Sequence, residues 1–210
     1  MPAGSLANPT RGGNLVDLLA KAGFPAKGYD AGGPTDFTSV NFMFGWDGRP
    51  QEFCTQLALD ELDIAIAGDD WMQERILEMK LSYGIDLAPE KVLSLHRGNI
   101  NLVSIVDGAF PESTTEEFLS NLIKRKSQIT VVTELPYMAL NWITEKLKAI
   151  NAPEKFFKWS IQKYKTPAKE DCGIIIYETW GKTEAKLKNG GADIGLEITQ
   201  SGSALRNYGL

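Results

Sequence analysis

The run Thr199-Gln200-Ser201-Gly202-Ser203-Ala204-Leu205 gathers small and hydroxyl-bearing residues directly after an apolar stretch, Ile194 to Ile198. A phosphate needs converging N–H and O–H donors, and a glycine lets the backbone approach closely, so a strand, Ser-Gly-Ser and a helix start together make a candidate anion cradle. The same composition also suits an ordinary turn. Glu197 just before it either meets the hydroxyls of a ribose or ends an exposed strand. Asp69 and Asp70 follow Gly68 at a second strand-to-helix junction, where aspartate serves either a ligand or the free N–H groups of a helix start. Arg11 and Arg49 carry fork-shaped donors able to neutralise phosphate, and each is equally readable as a surface residue.

Other chemistries have little to draw on. His96 is the single histidine, so a histidine base would have to be that residue; beside Arg97-Gly98 it reads equally as a packing or capping residue. Cys54 and Cys172 stand in no CxxC arrangement, which leaves no zinc site of cysteine and histidine ligands and reads as buried, inert thiols. A nucleophilic triad has no motif to support it. Trp46, Trp71, Trp142, Trp159 and Trp180 are expected mostly in the core, because large aromatics are buried for their area.

The chain of 210 residues carries a net charge of −5 and is 43% hydrophobic. That is an ordinary globular composition, long enough for one large domain or two lobes of roughly 100 residues. Basic residues are scattered apart from Lys124-Arg125-Lys126, read as a solvated helix end, so no nucleic-acid footprint is expected. No apolar run approaches a membrane span, and no basic-then-apolar leader opens the chain. A cytoplasmic, non-membrane protein is the expectation.

The elements that must position these residues alternate strand and helix, which predicts an α/β fold with a mostly parallel sheet. Helices are predicted over Asn14 to Ala22, Pro50 to Leu59, Trp71 to Leu81, Glu116 to Lys124, Pro136 to Ile150 and Lys182 to Lys188. Strands are predicted at Val40 to Phe44, Leu62 to Ala67, Val92 to Leu95, Leu102 to Val106, Ile129 to Thr133, Phe156 to Ile161, Ile174 to Tyr177 and Ile194 to Ile198. Tyr29 to Asp36 and Lys163 to Asp171 read as loops, and Ser113-Thr114-Thr115-Glu116 as a capping box. Leu62-Asp63-Ile64-Ala65-Ile66 and Ala192-Asp193-Ile194-Gly195-Leu196 are alike, each an Asp opening an apolar strand that leads to a glycine loop.

Taken in order, these stretches resemble the ATP phosphoribosyltransferase family that opens histidine biosynthesis. Gly181-Lys182-Thr183-Glu184, Ala192-Asp193, Glu197, Ser201-Gly202-Ser203, Leu205 and Gly209-Leu210 follow its closing motif with the spacing kept. Leu62 to Asp70 with Glu74 is similar to its Asp-x-Gly-Ile-x-Gly-x-Asp segment, and Thr133-Glu134-Leu135-Pro136 to its Ala-Thr-x-x-Pro. The resemblance implies a two-lobed fold akin to periplasmic binding proteins, with a mostly parallel sheet in each lobe and a cleft between them. Residues 1–98 would form the first lobe, 99–200 the second, and 201–210 a return crossing. It implies transfer of phosphoribose from phosphoribosyl pyrophosphate (PRPP) to N1 of ATP with Mg²⁺. Glu184 and Glu197 would be the catalytic carboxylates. Gln200, Ser201, Gly202, Ser203 and Ala204 would join Glu197 in holding PRPP, and Arg11, Asp69 and Asp70 would meet the nucleotide. A homo-oligomer, with or without a regulatory subunit, is implied too. The sequence departs from the family in having Ala204 for the loop's last threonine, the longer Glu197 for its acid, and about 20 inserted residues around Lys163 to Tyr177. A non-catalytic binding or regulatory protein on the same scaffold is the alternative reading.

Overall fold

The computed structural model describes residues 1, 13–29, 34–39, 44–46, 49–163 and 171–210. The chain divides into two compact units, Met1–Asn99 and Ile100–Leu210. Each is described by itself.

In the first unit, α1 (Leu15–Lys21), α2 (Pro50–Ala58) and α3 (Asp69–Tyr83) accompany β1 (Ala26–Lys27), β2 (Pro34–Phe37) and β3 (Phe44–Trp46). Pro50 opens α2 behind the extended Arg49, where its missing N–H costs nothing. Gly84, at φ 69°, stops α3 in the left-handed conformation that glycine tolerates best. Arg75 ties α3 to α2 by donating to Thr55 Oγ1, and pairs with Glu78 at 2.8 Å.

The sheet of this unit corrects the expectation of a parallel one: β1, β2 and β3 form an antiparallel meander, with Pro34 opposite Trp46 and Ala26 opposite Phe37. Part of the predicted Tyr29–Asp36 loop is therefore strand β2, and of the predicted Val40–Phe44 strand only Phe44 lies within the described residues. Leu62 to Ala67 and Val92 to Leu95 are not strands. Ile64 is 76% and Val92 84% exposed. A β-branched run becomes a strand only where a neighbour completes the ladder, and among the described residues none does so here.

The second unit matches the sequence pattern closely. It contains β4 (Asn101–Ile105), α4 (Thr115–Arg125), β5 (Ile129–Thr133), α5 (Pro136–Ala149), a 3-10 turn (Glu154–Phe157), β6 (Trp159–Gln162), β7 (Ile174–Glu178), α6 (Thr183–Lys188), β8 (Ile194–Thr199) and α7 (Ser203–Asn207). The predicted strand from Phe156 thus begins as the 3-10 turn. The sheet order is β4-β8-β5-β7-β6, with β4 antiparallel to β8 and the rest parallel. The central strands are apolar on both faces because both faces are covered. On one face Val131, Ile176, Ile194 and Leu196 pack against Leu119 and Leu122 of α4 and Leu140, Ile143 and Leu147 of α5. On the other, Leu187 of α6 and Leu205 of α7 pack on Ile105.

The capping box falls one residue later than Ser113–Glu116. Thr114 accepts the Glu117 N–H at 3.2 Å, while the Glu117 carboxylate takes the Ser113 N–H at 3.2 Å.

Asp193 belongs to the scaffold. At the start of β8, its Oδ2 accepts the Thr130 N–H at 2.9 Å and the Thr130 hydroxyl at 2.8 Å, and its own N–H donates to Thr130 O. Lys126 pairs with its Oδ1. Asp193→Ala orphans these donors at the amino end of the sheet, so it is expected to cost about 2 kcal/mol. Urea unfolding should show the loss, with ligand binding by the folded fraction unchanged.

Candidate carboxylate site

In open α/β sheets ligands collect outside the carboxyl ends of the strands, where neighbouring strands send their connections to opposite faces. Here β5 leads into α5 on one face, while β7 and β8 lead into α6 and α7 on the other. The carboxyl ends of β5, β7 and β8 lie side by side: Thr133 is level with Glu178 on β7 and with Leu196 on β8.

Three acids from three segments of the chain converge there. Glu134 follows β5, Glu184 sits in the first turn of α6, and Glu197 lies within β8. Glu197 shares a strand face with Gly195, whose missing side chain makes room for Ile105 and Thr183: a Cβ would stand 2.7 Å from Ile105 Cγ1 and 3.4 Å from Thr183 Cγ2. Burial raises the Glu197 carboxyl above its ordinary value. A Thr183 hydrogen bond pulls it down, and the charges of Glu134 and Glu184 push it further up. Glu197 Oε2 is buried without a hydrogen-bond partner. Glu134 is raised for similar reasons, burial first, offset by the Gly181 N–H and reinforced by Glu184. A neighbouring negative charge thus makes Glu134 and Glu197 harder to ionise, and a cation or a developing positive charge would relieve both.

The turns around this site are held by hydroxyls. Thr133 Oγ1 accepts the Leu135 N–H at 2.9 Å, and its carbonyl takes the Thr179 N–H at 2.8 Å. The Thr179 and Thr183 hydroxyls, both buried, lie 3.1 Å apart. After β8, Thr199 Oγ1 accepts the Gly202 N–H at 2.8 Å, and the Ser201 and Ser203 hydroxyls bond each other at 2.9 Å. Gly202 is left-handed at φ 66°. Gln200, Ser201, Ser203 and Ala204 are exposed, so the turn presents them to solvent.

Of the residues singled out in the sequence, Glu184, Glu197 and the turn from Gln200 to Ala204 therefore belong to one end of one sheet. Asp69 and Asp70 occupy the first turn of α3 in the other unit, behind Gly68 as N-cap. Asp69 is exposed and pairs with Lys91 at 2.6 Å. Asp70 is half-buried, its carboxyl raised by burial against the lowering effect of the Trp71 N–H. Arg49 is exposed ahead of α2, and Arg11 lies outside the described residues. His96 is exposed, at φ 49°. Trp142 and Trp159 pack on the core as expected, but Trp180 is 75% exposed beside Gly181. Both cysteines are buried, and burial pushes the Cys54 thiol up to about 11, an inert thiol at neutral pH.

Sequence reasoning missed Glu134 as a site residue. Its motif, Thr-Glu-Leu-Pro, was visible, but only the pairing of β5 between β7 and β8 brings its carboxylate to Glu184 and Glu197. Thr183 was hidden in the same way inside Gly-Lys-Thr-Glu.

The sheet defines the class, an open, mixed α/β fold with carboxylates gathered at the carboxyl ends of its central strands. The HisG ATP phosphoribosyltransferase model matches residues 49–210, and the chain belongs to that family. It is 24% identical to an ATP phosphoribosyltransferase of Geotalea daltonii and 23% identical to ATP phosphoribosyltransferase 1 of Geobacter sulfurreducens, in each case over 100% of this chain and 57% of the relative. The chain thus spans little more than half the length of these relatives. Among solved structures, the ATP phosphoribosyl transferase (HisG:HisZ) complex from Thermotoga maritima shares the fold with a TM-score of 0.56 at 15% identity, over 93% of this chain and 73% of that one. No helix among the described residues is long and apolar enough to cross a membrane.

Proposed function

We propose that this chain is a phosphoribosyltransferase that moves phosphoribose from PRPP to N1 of ATP, on a two-lobed scaffold. The observation that carries the reading is the convergence of Glu134, Glu184 and Glu197 beside the Ser201-Gly202-Ser203 turn, in a chain of this family. In the reaction the N1 lone pair forms a bond to C1 of the ribose as the C1–O bond to pyrophosphate breaks, and that electron pair leaves on pyrophosphate. Positive charge builds at C1 on the way. A carboxylate that water cannot fully solvate is well placed to stabilise it, and positioning supplies much of the remaining barrier reduction.

Among the described residues no group of three or more acids, histidines or cysteines is arranged to hold a metal ion. The described donor set therefore does not fit a protein-built Mg²⁺ cage. Mg²⁺ ordinarily binds through substrate phosphates and water with few carboxylates, so it would enter with PRPP.

The test follows pyrophosphate release with PRPP, ATP and Mg²⁺ present, alongside PRPP-induced thermal stabilisation. Release above the protein-free control is expected, and both signals should vanish in Gly202→Val. Gly202 is left-handed, so the substitution strains the turn as well as filling it. Stabilisation without release would instead support a non-catalytic binding subunit. Ala204, which removes one hydroxyl from the turn, favours that second reading.

A further inference from the structure

The connection from β7 to α6 is tied to the carboxylate site at alternate residues. Thr179 donates its N–H to Thr133 O at 2.8 Å, and its hydroxyl lies 3.1 Å from that of Thr183. Gly181 donates its N–H to the Glu134 carboxylate, and Thr183 hydrogen-bonds Glu197. Thr179 and Thr183 are buried. The residues between these anchors, Trp180 and Lys182, are exposed instead. Gly181 and Lys182 are both left-handed, at φ 86° and 59°, a conformation that a lysine holds only against a steric cost.

Trp180 is 75% exposed, whereas the next most exposed large apolar side chain among the described residues of the second unit, Tyr208, stands at 41%. A tryptophan is ordinarily buried for its area. Here the main chain is pinned on both sides of it, so the indole is held out on a fixed stem. The ring is also close to the acids. A Cβ on its neighbour Gly181 would stand 3.7 Å from Glu134 Oε1.

The carboxylates of this site repel the phosphates of a nucleotide, so what holds an acceptor against them must be its uncharged ring. A base stacked on an indole is gripped by its face, which leaves the nitrogens on its edge free. Transfer needs that presentation, because the attacking N1 lone pair lies in the plane of the ring.

We propose that Trp180 is the stacking platform for the aromatic base of the acceptor nucleotide, holding the base with its edge toward the carboxylates. The inference rests on the phosphoribosyltransferase reading above and adds the residue that grips its acceptor. Every base has a π-face, so Trp180 sets how tightly a base is held rather than which base is chosen.

Calorimetric titration tests it on wild type, Trp180→Ala and Trp180→Phe, using ATP, PRPP and tripolyphosphate, which has the phosphates without the ring. Trp180→Ala is expected to weaken ATP by about five- to a hundredfold, the range lost when one stacking aromatic is truncated. PRPP and tripolyphosphate should bind as before, with Tm unchanged, and Trp180→Phe should recover part of the affinity for ATP. ATP should also quench the tryptophan fluorescence of wild type. That quench should be absent from Trp180→Phe, although Trp46, Trp71, Trp142 and Trp159 remain. The inference is overturned if Trp180→Ala binds ATP like wild type, if it loses PRPP as strongly as ATP, or if the quench survives in Trp180→Phe. Pyrophosphate release by wild type leaves the transferase reading standing in each of these cases. Wild-type protein that binds neither ATP nor PRPP overturns the transferase reading and this inference together.

Discussion

Glu197→Gln should lower PRPP-dependent pyrophosphate release by about 10²- to 10³-fold, the range lost when one preorganised electrostatic group is removed from an active site. The substitution keeps the volume and the Thr183 hydrogen-bonding position but removes the charge that would face C1 as pyrophosphate departs. Stability should not suffer. Burial and the neighbouring Glu134 and Glu184 hold the folded-state carboxyl above its ordinary value of 4.5. In the pH window just above 4.5 the folded state therefore binds more protons than the unfolded one. By linkage the contribution of this group to stability is fully present at low pH and is lost as pH rises through the raised value. At neutral pH the ionised Glu197 is a burden on the fold, and Gln relieves it. The expected pair of results is weaker catalysis with equal or greater resistance to urea at pH 7, and a shallower pH dependence of stability between 4.5 and neutral. Undiminished pyrophosphate release in the variant would remove Glu197 from the mechanism.

The largest expected effect on folding belongs to a residue with no chemistry at all. Gly173→Ala places a Cβ 2.3 Å from Lys155 O, 2.6 Å from Phe156 Cα and 2.8 Å from Lys155 C. These are backbone atoms, which cannot swing aside as the end of a side chain can. They belong to the 3-10 turn whose Phe156 is fully buried. Gly173 also joins the strand starts: its N–H donates to Lys158 O at 2.8 Å, and its carbonyl accepts the Ile129 N–H at 2.8 Å. Relieving the clash must part β7 from either the turn or β5. Overpacking of this kind costs about 3 kcal/mol, which for a unit of this size is about 6 to 20 °C in Tm. Thermal and urea unfolding should show it directly. A loss under about 0.5 kcal/mol, no more than an ordinary surface change, would mean that the chain does not approach Gly173 so closely.

Local pattern made most of the second unit legible. Ile129-Thr130-Val131-Val132-Thr133 and Ile174-Ile175-Ile176-Tyr177 are continuous apolar runs of the kind that only strands covered on both faces require, and they form β5 and β7. Pro136 announces α5, and a hydroxyl with a glutamate three residues on announces α4, at Thr114 and Glu117 rather than Ser113 and Glu116. Leu62 to Ala67 shows where this logic stops. Its Leu62 to Ile66 is like Ala192 to Leu196, which leads into β8, yet β8 has β4 and β5 to complete its hydrogen bonds and Leu62 to Ala67 has no described neighbour. Strand propensity describes a surface to be packed, and the ladder that realises it is made by distant residues.

The same division holds at the site. Side-chain chemistry and short-range geometry are local, so the sequence by itself determined that Ser201-Gly202-Ser203 forms a turn after an apolar strand, with Glu197 just ahead of it. Which acids meet there is non-local, because it depends on β8 pairing beside β5 and on three connections leaving for different faces of the sheet. Only the tertiary structure could bring Glu134, 63 residues before Glu197 in the chain, close enough for each carboxylate to feel the other's charge. It alone decided that Asp193, directly before β8, anchors the sheet rather than meeting a ligand, since the start and the end of β8 lie at opposite ends of the sheet.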